Sequence, residues 1–137
     1  MCRVRKQRTG TPANYEEGEM RRDPGEPYYR LGTDEAHSLV AEAPGKYAVI
    51  DVRGEDEYLE GHVTNAIHIP VDEILSRVEE LPAEKTLLFI CAAGIRSGLA
   101  CEMAAATGLD PDSLLNIEDG TPPWIEKGYP TSYGDNP

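Results

Sequence analysis

A cysteine followed by small residues, an arginine and a serine is the part of this 137-residue chain best suited to covalent chemistry. The segment reads Cys-Ala-Ala-Gly-Ile-Arg-Ser over residues 91–97 and follows the apolar run Thr86–Ile90. Small residues and a glycine let the backbone curl so that successive N–H groups point inward. The helix predicted from Ser97 onward adds partial positive charge from its first turn. These features predict an anion cradle around the sulfur of Cys91.

The predicted cradle favours the thiolate of Cys91, which is the nucleophilic form of a cysteine. An ordinary thiol is mostly protonated at neutral pH, so the cradle has to lower the pKa of Cys91 for the thiolate to dominate. Arg96 supplies either a fixed positive charge or hydrogen bonds that brace the loop. The same donors can hold an anionic substrate or a persulfide, and the residues predicted to bind it are Ala92, Ala93, Gly94, Ile95, Arg96 and Ser97.

The cradle hypothesis requires the sulfur of Cys91 to lie exposed at the edge of a sheet, with main-chain amides directed toward it. The alternative is a cysteine that is simply buried at the end of a strand and is followed by an ordinary turn. Cysteine is one of the residues most often buried, so this alternative has weight.

Short apolar runs alternate along the chain with segments of helical pattern, and these elements must position the loop. Apolar runs of strand length occupy residues 28–31, 47–52, 66–69, 86–90 and 114–117. Capping residues, apolar spacing and the positions of proline and glycine predict helices over residues 33–43, 55–59, 72–80, 97–106 and 122–127. The alternation predicts an α/β domain with a central, mostly parallel sheet of five strands flanked by helices. Chemistry in such sheets lies beyond the carboxyl ends of the strands, where Cys91 is expected.

Composition and charge narrow the function. The chain has 13 basic and 25 acidic residues, a net charge of −12, and such a surface repels nucleic acid. No segment approaches the roughly 20 apolar residues of a membrane span, and no secretory apolar segment follows Met1. A cytoplasmic protein without a membrane partner is therefore expected. The three cysteines, Cys2, Cys91 and Cys101, form no CxxC pair, so neither a disulfide framework nor a metal site is predicted.

The N-terminal part of the chain differs from the rest. Residues 1–27 lack hydrophobic periodicity and are predicted to be a flexible extension, while residues 28–137 are predicted to form the domain. Residues 31–137 hold 6 basic and 20 acidic residues, a net charge of −14, whereas the first residues are basic. An alternative for the extension is therefore a basic arm that binds an acidic partner or the acidic body of its own chain.

From residue 28 to about residue 131 the sequence resembles the rhodanese-like sulfurtransferases. Each matching segment is weak alone, but their order and spacing within one small α/β domain are specific together. The segments are Asp51-Val52-Arg53, Glu57-Tyr58, Gly61-His62-Val63, Ala66–Pro70, the loop over 91–97 and Trp124–Pro130. The resemblance implies a single-domain rhodanese-like fold of three layers.

The resemblance also implies a sulfur-transfer cycle on Cys91. The thiolate attacks the outer sulfur of a small-molecule donor such as thiosulfate, a Cys91 persulfide forms, and a thiol or cyanide acceptor removes the sulfur. A protein can also serve as donor or acceptor, and no metal or organic cofactor is needed. Asp51 and Arg53 are expected to lie beneath the site and anchor the neighbouring loops, with Glu57 and His62 as structural partners.

Two alternatives to a sulfurtransferase remain open. Cysteine phosphatases of related fold have a longer loop between cysteine and arginine, whereas only four residues separate Cys91 from Arg96. The tighter loop is better fitted to sulfur than to a phosphoryl group. The second alternative is a non-catalytic rhodanese-like module, a sulfur carrier or a regulatory binding module, that holds sulfur only while it is docked on another protein.

Two departures from the family pattern bear on the donor. Ala92 and Ala93 bring no side-chain charge, where many thiosulfate-using relatives have a basic residue, and the body around the site is acidic. Weak binding of the thiosulfate dianion is therefore predicted, and a persulfide is the favoured donor. The segment Glu118–Pro123 stands where the family usually has a glycine pair and an apolar residue, so the loop before Trp124 is expected to be reshaped.

Overall fold

Seven strands form two sheets in the part of the chain that the structure, a computed structural model, describes: residues 20–137. In chain order the strands are β1 (Tyr29–Leu31), β2 (Tyr47–Asp51), β3 (His62–Val63), β4 (Ile67–His68), β5 (Thr86–Ile90), β6 (Leu114–Ile117) and β7 (Thr131–Ser132). Five of them make the central sheet in the order β1-β6-β5-β2-β4, and every neighbouring pair is parallel. The predicted parallel five-stranded sheet is confirmed.

Helices cover both faces of this sheet. They are α1 (Thr33–Glu42), α2 (Glu55–Glu60), α3 (Ile95–Ala106) and α4 (Thr121–Glu126). Ala36 of α1 and Trp124 of α4 pack into the core on one face, and Ala100 and Cys101 of α3 pack into the core on the other. The result is the three-layer α/β domain that the alternation predicts. Within residues 20–137, no helix is both long enough and apolar enough to cross a bilayer.

Strand β5 explains how the cysteine loop is placed. Successive side chains of a strand point to opposite faces of the sheet. Leu88 and Ile90 therefore pack on the side of Trp124, whereas Phe89 and the next odd-numbered residue, Cys91, pack on the side of α3. Because both faces are covered, the strand is apolar throughout rather than alternating.

The predicted helix over residues 72–80 is wrong. The segment forms two separate 3₁₀ turns, Val71–Glu73 and Val78–Glu80. Ser76 lies between them, and its hydroxyl donates to the carbonyl oxygen of Glu73, a contact that competes with helical hydrogen bonding. The apolar spacing still marks a residue of the core, because Ile74 is fully buried against the sheet. Its neighbour Leu75 is 55% exposed.

A small second sheet was not predicted. Strands β3 and β7 pair antiparallel, with His62 opposite Ser132 and Val63 opposite Thr131. Strands of two residues carry no detectable periodicity, so only the folded chain reveals them. The pairing fastens the C-terminal segment to the loop that follows α2.

Residues 1–19 of the predicted extension lie outside the described residues, so their flexibility stays a prediction. Arg21 forms an isolated antiparallel bridge with Arg30 in β1. Its guanidinium also makes two hydrogen bonds to Glu118, at 2.5 and 2.8 Å. Met20 packs against the core as well, so the contacts of the domain reach back to the first described residue.

Candidate active site

The cysteine loop lies at the carboxyl end of the central strand. Cys91 follows β5 directly, and α3 begins at Ile95, two residues before the predicted start at Ser97. The loop between them is therefore only three residues long, which forces a tight turn. Gly94 takes a φ of +91° in this turn, a conformation that strongly favours glycine.

Hydrogen-bond donors converge on the sulfur of Cys91. The backbone N–H of Gly94 donates to Cys91 Sγ at 3.0 Å, and that of Ser97 donates at 3.3 Å. The hydroxyl oxygen of Ser97 also lies 3.3 Å from the sulfur. The amides thus point inward, in the arrangement that an anion cradle requires.

The cradle outweighs the effect of burial on the thiol. Burial raises the pKa of Cys91, whereas hydrogen bonds from the Ser97 hydroxyl and from the amides of Ser97, Ala93 and Gly94 lower it. The net result is a pKa below the ordinary value, so the thiolate is more populated than in a free cysteine.

The expectation of an exposed sulfur is wrong. Cys91 is only 1% exposed and packs in the same core as Phe89 and Cys101. Strand alternation directs its side chain toward α3, and the loop closes over it. The simple buried-cysteine alternative predicts this burial, but it does not predict two amides aimed at the sulfur. The outer surface of the loop is exposed at Ala93 and at Ile95, which is 82% exposed.

Arg96 braces the loop. Its two terminal nitrogens donate to the two carboxylate oxygens of Glu57 in α2, at 2.8 and 2.9 Å. This arginine holds the pKa of Glu57 down at about 2, against the opposing effect of burial, and the backbone N–H of Gly54 contributes. Of the two roles open to Arg96 in the sequence, the structure shows the bracing contact.

Asp51 and Arg53 form a buried ion pair at the end of β2. Arg53 Nη2 donates to Asp51 Oδ2 at 2.7 Å and to the carbonyl oxygen of Gly61 at 2.8 Å. Asp51 is fully buried and Arg53 is 6% exposed. The pair joins the end of the strand to the loop that follows α2, next to His62.

His62 is a structural partner in the second sheet. Its side chain is fully buried, and its two ring nitrogens lie 2.8 Å from the carbonyl oxygen of Tyr58 and 2.7 Å from that of Asn136. The ring of Tyr58 stacks on it, with centroids 3.7 Å apart. These contacts fasten the C-terminal segment rather than reach the cysteine loop.

The segment from the end of β6 to the first turn of α4 carries site residues that sequence reasoning missed. Thr121 donates to the carbonyl oxygen of Cys91 through both its backbone N–H, at 2.8 Å, and its hydroxyl, at 3.1 Å. Gly120 packs directly on the backbone of Ala92. The glycine after a predicted strand was the available signal for this close approach.

Asn116 is the second missed residue. It lies in the otherwise apolar strand β6 and is 1% exposed. Its side chain contacts both Ser97 and Gly94 of the cysteine loop. A lone polar residue inside a buried apolar strand was the signal, since such a group needs hydrogen-bond partners.

Residues 20–137 contain no cluster of three or more histidine, cysteine, aspartate or glutamate side chains that could hold a metal ion. A cavity of about 450 Å³ lies beside the loop. Its lining includes the apolar residues Ala93, Ile95 and Leu99 and the charged residues Arg30 and Glu102. The region next to the cradle therefore offers apolar and charged groups together.

Fold and site define a rhodanese-like protein, and comparison with known families agrees. The family model for the rhodanese-like domain matches residues 33–127, most of the chain. This chain belongs to the rhodanese-like domain family.

Two sequence relatives and one solved structure illustrate the family, and one of the relatives is named for sulfur transfer. A putative sulfurtransferase of Bacillus subtilis is 34% identical over 83 residues, covering 61% of this chain and 78% of that protein. An HTH-type transcriptional regulator of Mycobacterium tuberculosis is 30% identical over 101 residues, covering 66% of this chain but only 42% of the longer regulator. The crystal structure of a rhodanese-related protein from Thermoplasma volcanium superposes with a TM-score of 0.61 at 34% identity, over 70% of this chain and 93% of that one. At the level of the family, the chain has a sulfur-transfer role.

Proposed function

We propose that this protein moves sulfane sulfur from a donor, thiosulfate or a persulfide, to a thiophilic acceptor through a persulfide on Cys91. The observation that carries the proposal is the convergence of two backbone amides on Cys91 Sγ, at 3.0 and 3.3 Å, in a loop that opens a helix. This arrangement stabilises negative charge on sulfur, which both the attacking thiolate and the terminal sulfur of a persulfide carry.

The chemistry needs no external oxidant or reductant. The Cys91 thiolate attacks the outer sulfur of the donor, and the bond between that sulfur and the rest of the donor breaks. Sulfite or a thiolate leaves with the electron pair, and the Cys91 persulfide anion remains. An acceptor thiolate or cyanide then attacks the outer sulfur and releases the Cys91 thiolate.

The first turn of α3 supplies donors for the outer sulfur. The first N–H groups of a helix have no partner within the helix. In α3 these groups belong to Ile95, Arg96 and Ser97, and the last of them already contacts Cys91. The remaining amides are available to a second sulfur or to the anionic part of the donor.

The charges around the loop favour a persulfide donor over thiosulfate. Ala92 and Ala93 provide no cation, and the Arg96 guanidinium is paired with Glu57. Thiosulfate carries two negative charges, whereas a persulfide group carries one. The uncompensated second charge makes thiosulfate the weaker donor.

A second candidate function is a sulfur carrier or regulatory module that works only when docked. The burial of Cys91 at 1% exposure favours it, because access then depends on movement of the loop. The exposed apolar side chains beside the loop, Ile95 at 82% and Leu99 at 46%, offer a surface for a protein partner.

Intact-mass analysis tests the proposal. After incubation with thiosulfate or a polysulfide we expect a gain of about 32 Da, one sulfur atom, that cyanide removes. The gain should be absent in Cys91→Ala and retained in Cys101→Ala. Labelling that persists in Cys91→Ala assigns the sulfur to another cysteine and contradicts the proposal. Multiple turnovers with free cyanide support an enzyme, whereas loading without turnover supports the carrier.

A further inference from the structure

Asn116 connects the cysteine loop to the neighbouring strand through both ends of its side-chain amide. Its Nδ2 lies 3.1 Å from the carbonyl oxygen of Gly94, and its Oδ1 lies 2.5 Å from Ser97 Oγ. Ser97 Oγ in turn lies 3.3 Å from Cys91 Sγ. Asn116, Ser97 and Cys91 are each at most 1% exposed, so bulk water does not compete for these contacts.

The partners determine which way the amide of Asn116 faces. The carbonyl oxygen of Gly94 only accepts hydrogen bonds, and it also accepts one from the backbone N–H of Gly98 at 3.1 Å. The nitrogen of the amide must therefore face Gly94, which leaves Oδ1 facing Ser97. Since Oδ1 also only accepts, the contact of 2.5 Å requires the hydroxyl proton of Ser97.

A serine hydroxyl has a single proton, and here two acceptors compete for it. While the proton points to Asn116, Ser97 Oγ presents a lone pair to Cys91 Sγ. This geometry suits a thiol, which donates its S–H to Ser97, and opposes a thiolate. The hydroxyl can serve the thiolate only by turning away from Asn116, which leaves a buried amide oxygen without a donor.

We propose that Asn116 is a positioning residue that competes with the Cys91 sulfur for the Ser97 hydroxyl proton and so limits how far the cradle stabilises the unloaded thiolate. The inference rests on the proposed sulfur-transfer function. In the persulfide the inner sulfur has neither a proton nor the full charge, so the bond between Ser97 and Asn116 is kept. Asn116 thus favours the thiol and the persulfide over the free thiolate.

This arrangement also indicates where the thiol proton goes when Cys91 takes up a sulfur atom from a donor. The Cys91 thiol gives up its proton and the resulting thiolate attacks the outer sulfur of a persulfide R–S–S⁻. The bond between the two donor sulfurs breaks, and a new bond joins Cys91 Sγ to the outer sulfur. The thiol proton leaves with the departing sulfur as R–SH. The charge stays on the transferred sulfur, and no net charge enters or leaves the site.

Other charged or titratable groups on the elements around Cys91 must be held constant in a test. Arg96 is paired with Glu57, and its charge also interacts with Cys91 and Asp51. Cys101 in α3 is fully buried, and burial raises its pKa. The loop after β6 adds Glu118 and Asp119, which bond to Arg21 and Thr33. Substitution of Asn116 by a neutral residue leaves all of these groups unchanged.

The test is the alkylation rate of Cys91 by iodoacetamide over a range of pH, read from the mass of the Cys91 peptide. Asn116→Leu removes the competing acceptor at similar side-chain size. The freed Ser97 proton can then stabilise the thiolate, so we expect the rate on the acidic side of the profile to rise by about threefold to tenfold. If Asn116 only braced the loop, Asn116→Leu would lower the alkylation rate, because a loosened loop stabilises the thiolate less. An unchanged or lower rate overturns the inference.

A double-mutant cycle gives the second criterion. In the Ser97→Ala background there is no hydroxyl proton to redirect, so Asn116→Leu should leave the alkylation rate unchanged. Acceleration that persists in this background overturns the proposed mechanism. If Asn116→Leu does not fold, NMR of the unaltered protein replaces it: the Asn116 side-chain amide resonances should shift with the same midpoint as Cys91 alkylation, and their failure to shift overturns the inference.

Alkylation requires no sulfur donor, which separates this inference from the proposed function. If the alkylation profiles behave as described but no persulfide forms, the proposed function fails and the proton assignment stands. If a persulfide forms and Asn116→Leu does not accelerate alkylation, the proposed function stands and the role of Asn116 fails.

Discussion

Gly120 lies so close to Ala92 that a Cβ atom at position 120 would be 2.0 Å from the carbonyl oxygen of Ala92. Gly120 also has a φ of +81°, which strongly favours glycine. The loop after β6 can therefore close on the cysteine loop only where position 120 lacks a side chain. This contact brings Thr121 within reach of the carbonyl oxygen of Cys91.

The first prediction concerns this contact. We expect Gly120→Ala to lower the free energy of unfolding by about 3 kcal/mol, because the new methyl group meets backbone and cannot be accommodated by a side-chain movement. Denaturation followed by the fluorescence of Trp124, the single tryptophan, measures it. Gly128→Ala is the matched control, since Gly128 has a φ of +76° but nothing within 4 Å of its added Cβ. Its cost should be about 1 kcal/mol, and equal costs would show that backbone conformation alone matters.

If Arg96 braces the loop, substitution of its partner Glu57 should have the same effect on Cys91 as substitution of Arg96 itself. Arg96→Ala and Glu57→Gln both break the contact between the loop and α2, so we expect each to slow the alkylation of Cys91 by about threefold to tenfold. Peptide mass analysis near neutral pH measures the rate. If the positive charge of Arg96 acts directly on the sulfur instead, Glu57→Gln should accelerate the reaction, because it removes a negative charge and frees the guanidinium.

The lowered pKa of Glu57 predicts where acid weakens the fold. Its pKa falls from an ordinary 4.5 to about 2, so the folded protein binds its proton less readily than the unfolded chain. The ion pair between Glu57 and Arg96 therefore contributes fully to the free energy of unfolding above pH 4.5. This contribution is lost as the pH falls toward about 2. Unfolding measurements should show the stability gap between the unaltered protein and Glu57→Gln narrowing over that range. A gap that stays constant with pH contradicts the assignment.

The buried pair of Asp51 and Arg53 predicts a large cost when one partner is removed. We expect Asp51→Asn to lower the free energy of unfolding by about 3 kcal/mol or more, because it leaves the guanidinium of Arg53 buried without its counter-charge. Glu80→Gln is the control, since Glu80 pairs with Arg77 at the surface. That substitution should cost less than about 1 kcal/mol. Similar costs in the two variants would show that Arg53 finds another partner.

The absence of a cationic side chain at Ala92 and Ala93 predicts that the protein binds thiosulfate weakly. We expect Ala93→Lys, at an exposed loop position, to lower the KM for thiosulfate by about threefold to tenfold, since it adds the missing cation. The effect should shrink at high salt, where exposed charges are screened. Ala106→Lys, exposed at the far end of α3, is the control and should leave the KM unchanged. A thiosulfate KM below about 0.1 mM in the unaltered protein contradicts the prediction.

Local patterns were sufficient for most of the central fold. The apolar runs that became β2, β5 and β6 are buried on both faces, so continuous hydrophobicity marks them. The helix after the cysteine loop was predicted from small and apolar residues that indeed pack on the sheet. The segment over 71–80 is one whose structure its local pattern did not decide. Its apolar spacing fits a helix, but two 3₁₀ turns bury Ile74 as well.

In the cysteine loop, too, adjacent residues determined one feature and tertiary packing determined another. The succession of strand, cysteine, small residues and helix is encoded in adjacent residues, and from it the sequence by itself determined that amides would surround a sulfur. It did not determine that Cys91 would be buried, because that depends on how closely the loop after β6 packs on it through Gly120.

The remaining partners of the cradle were decided by the tertiary structure alone. Glu57, Asn116 and Thr121 are far from Cys91 along the chain and reach the loop because β2 and β6 both pair with β5. Strand order in a sheet follows from the packing of the whole domain, not from the spacing of any one segment. For that physical reason the sequence alone determined the nucleophile and its loop, and the folded chain determined which groups tune it.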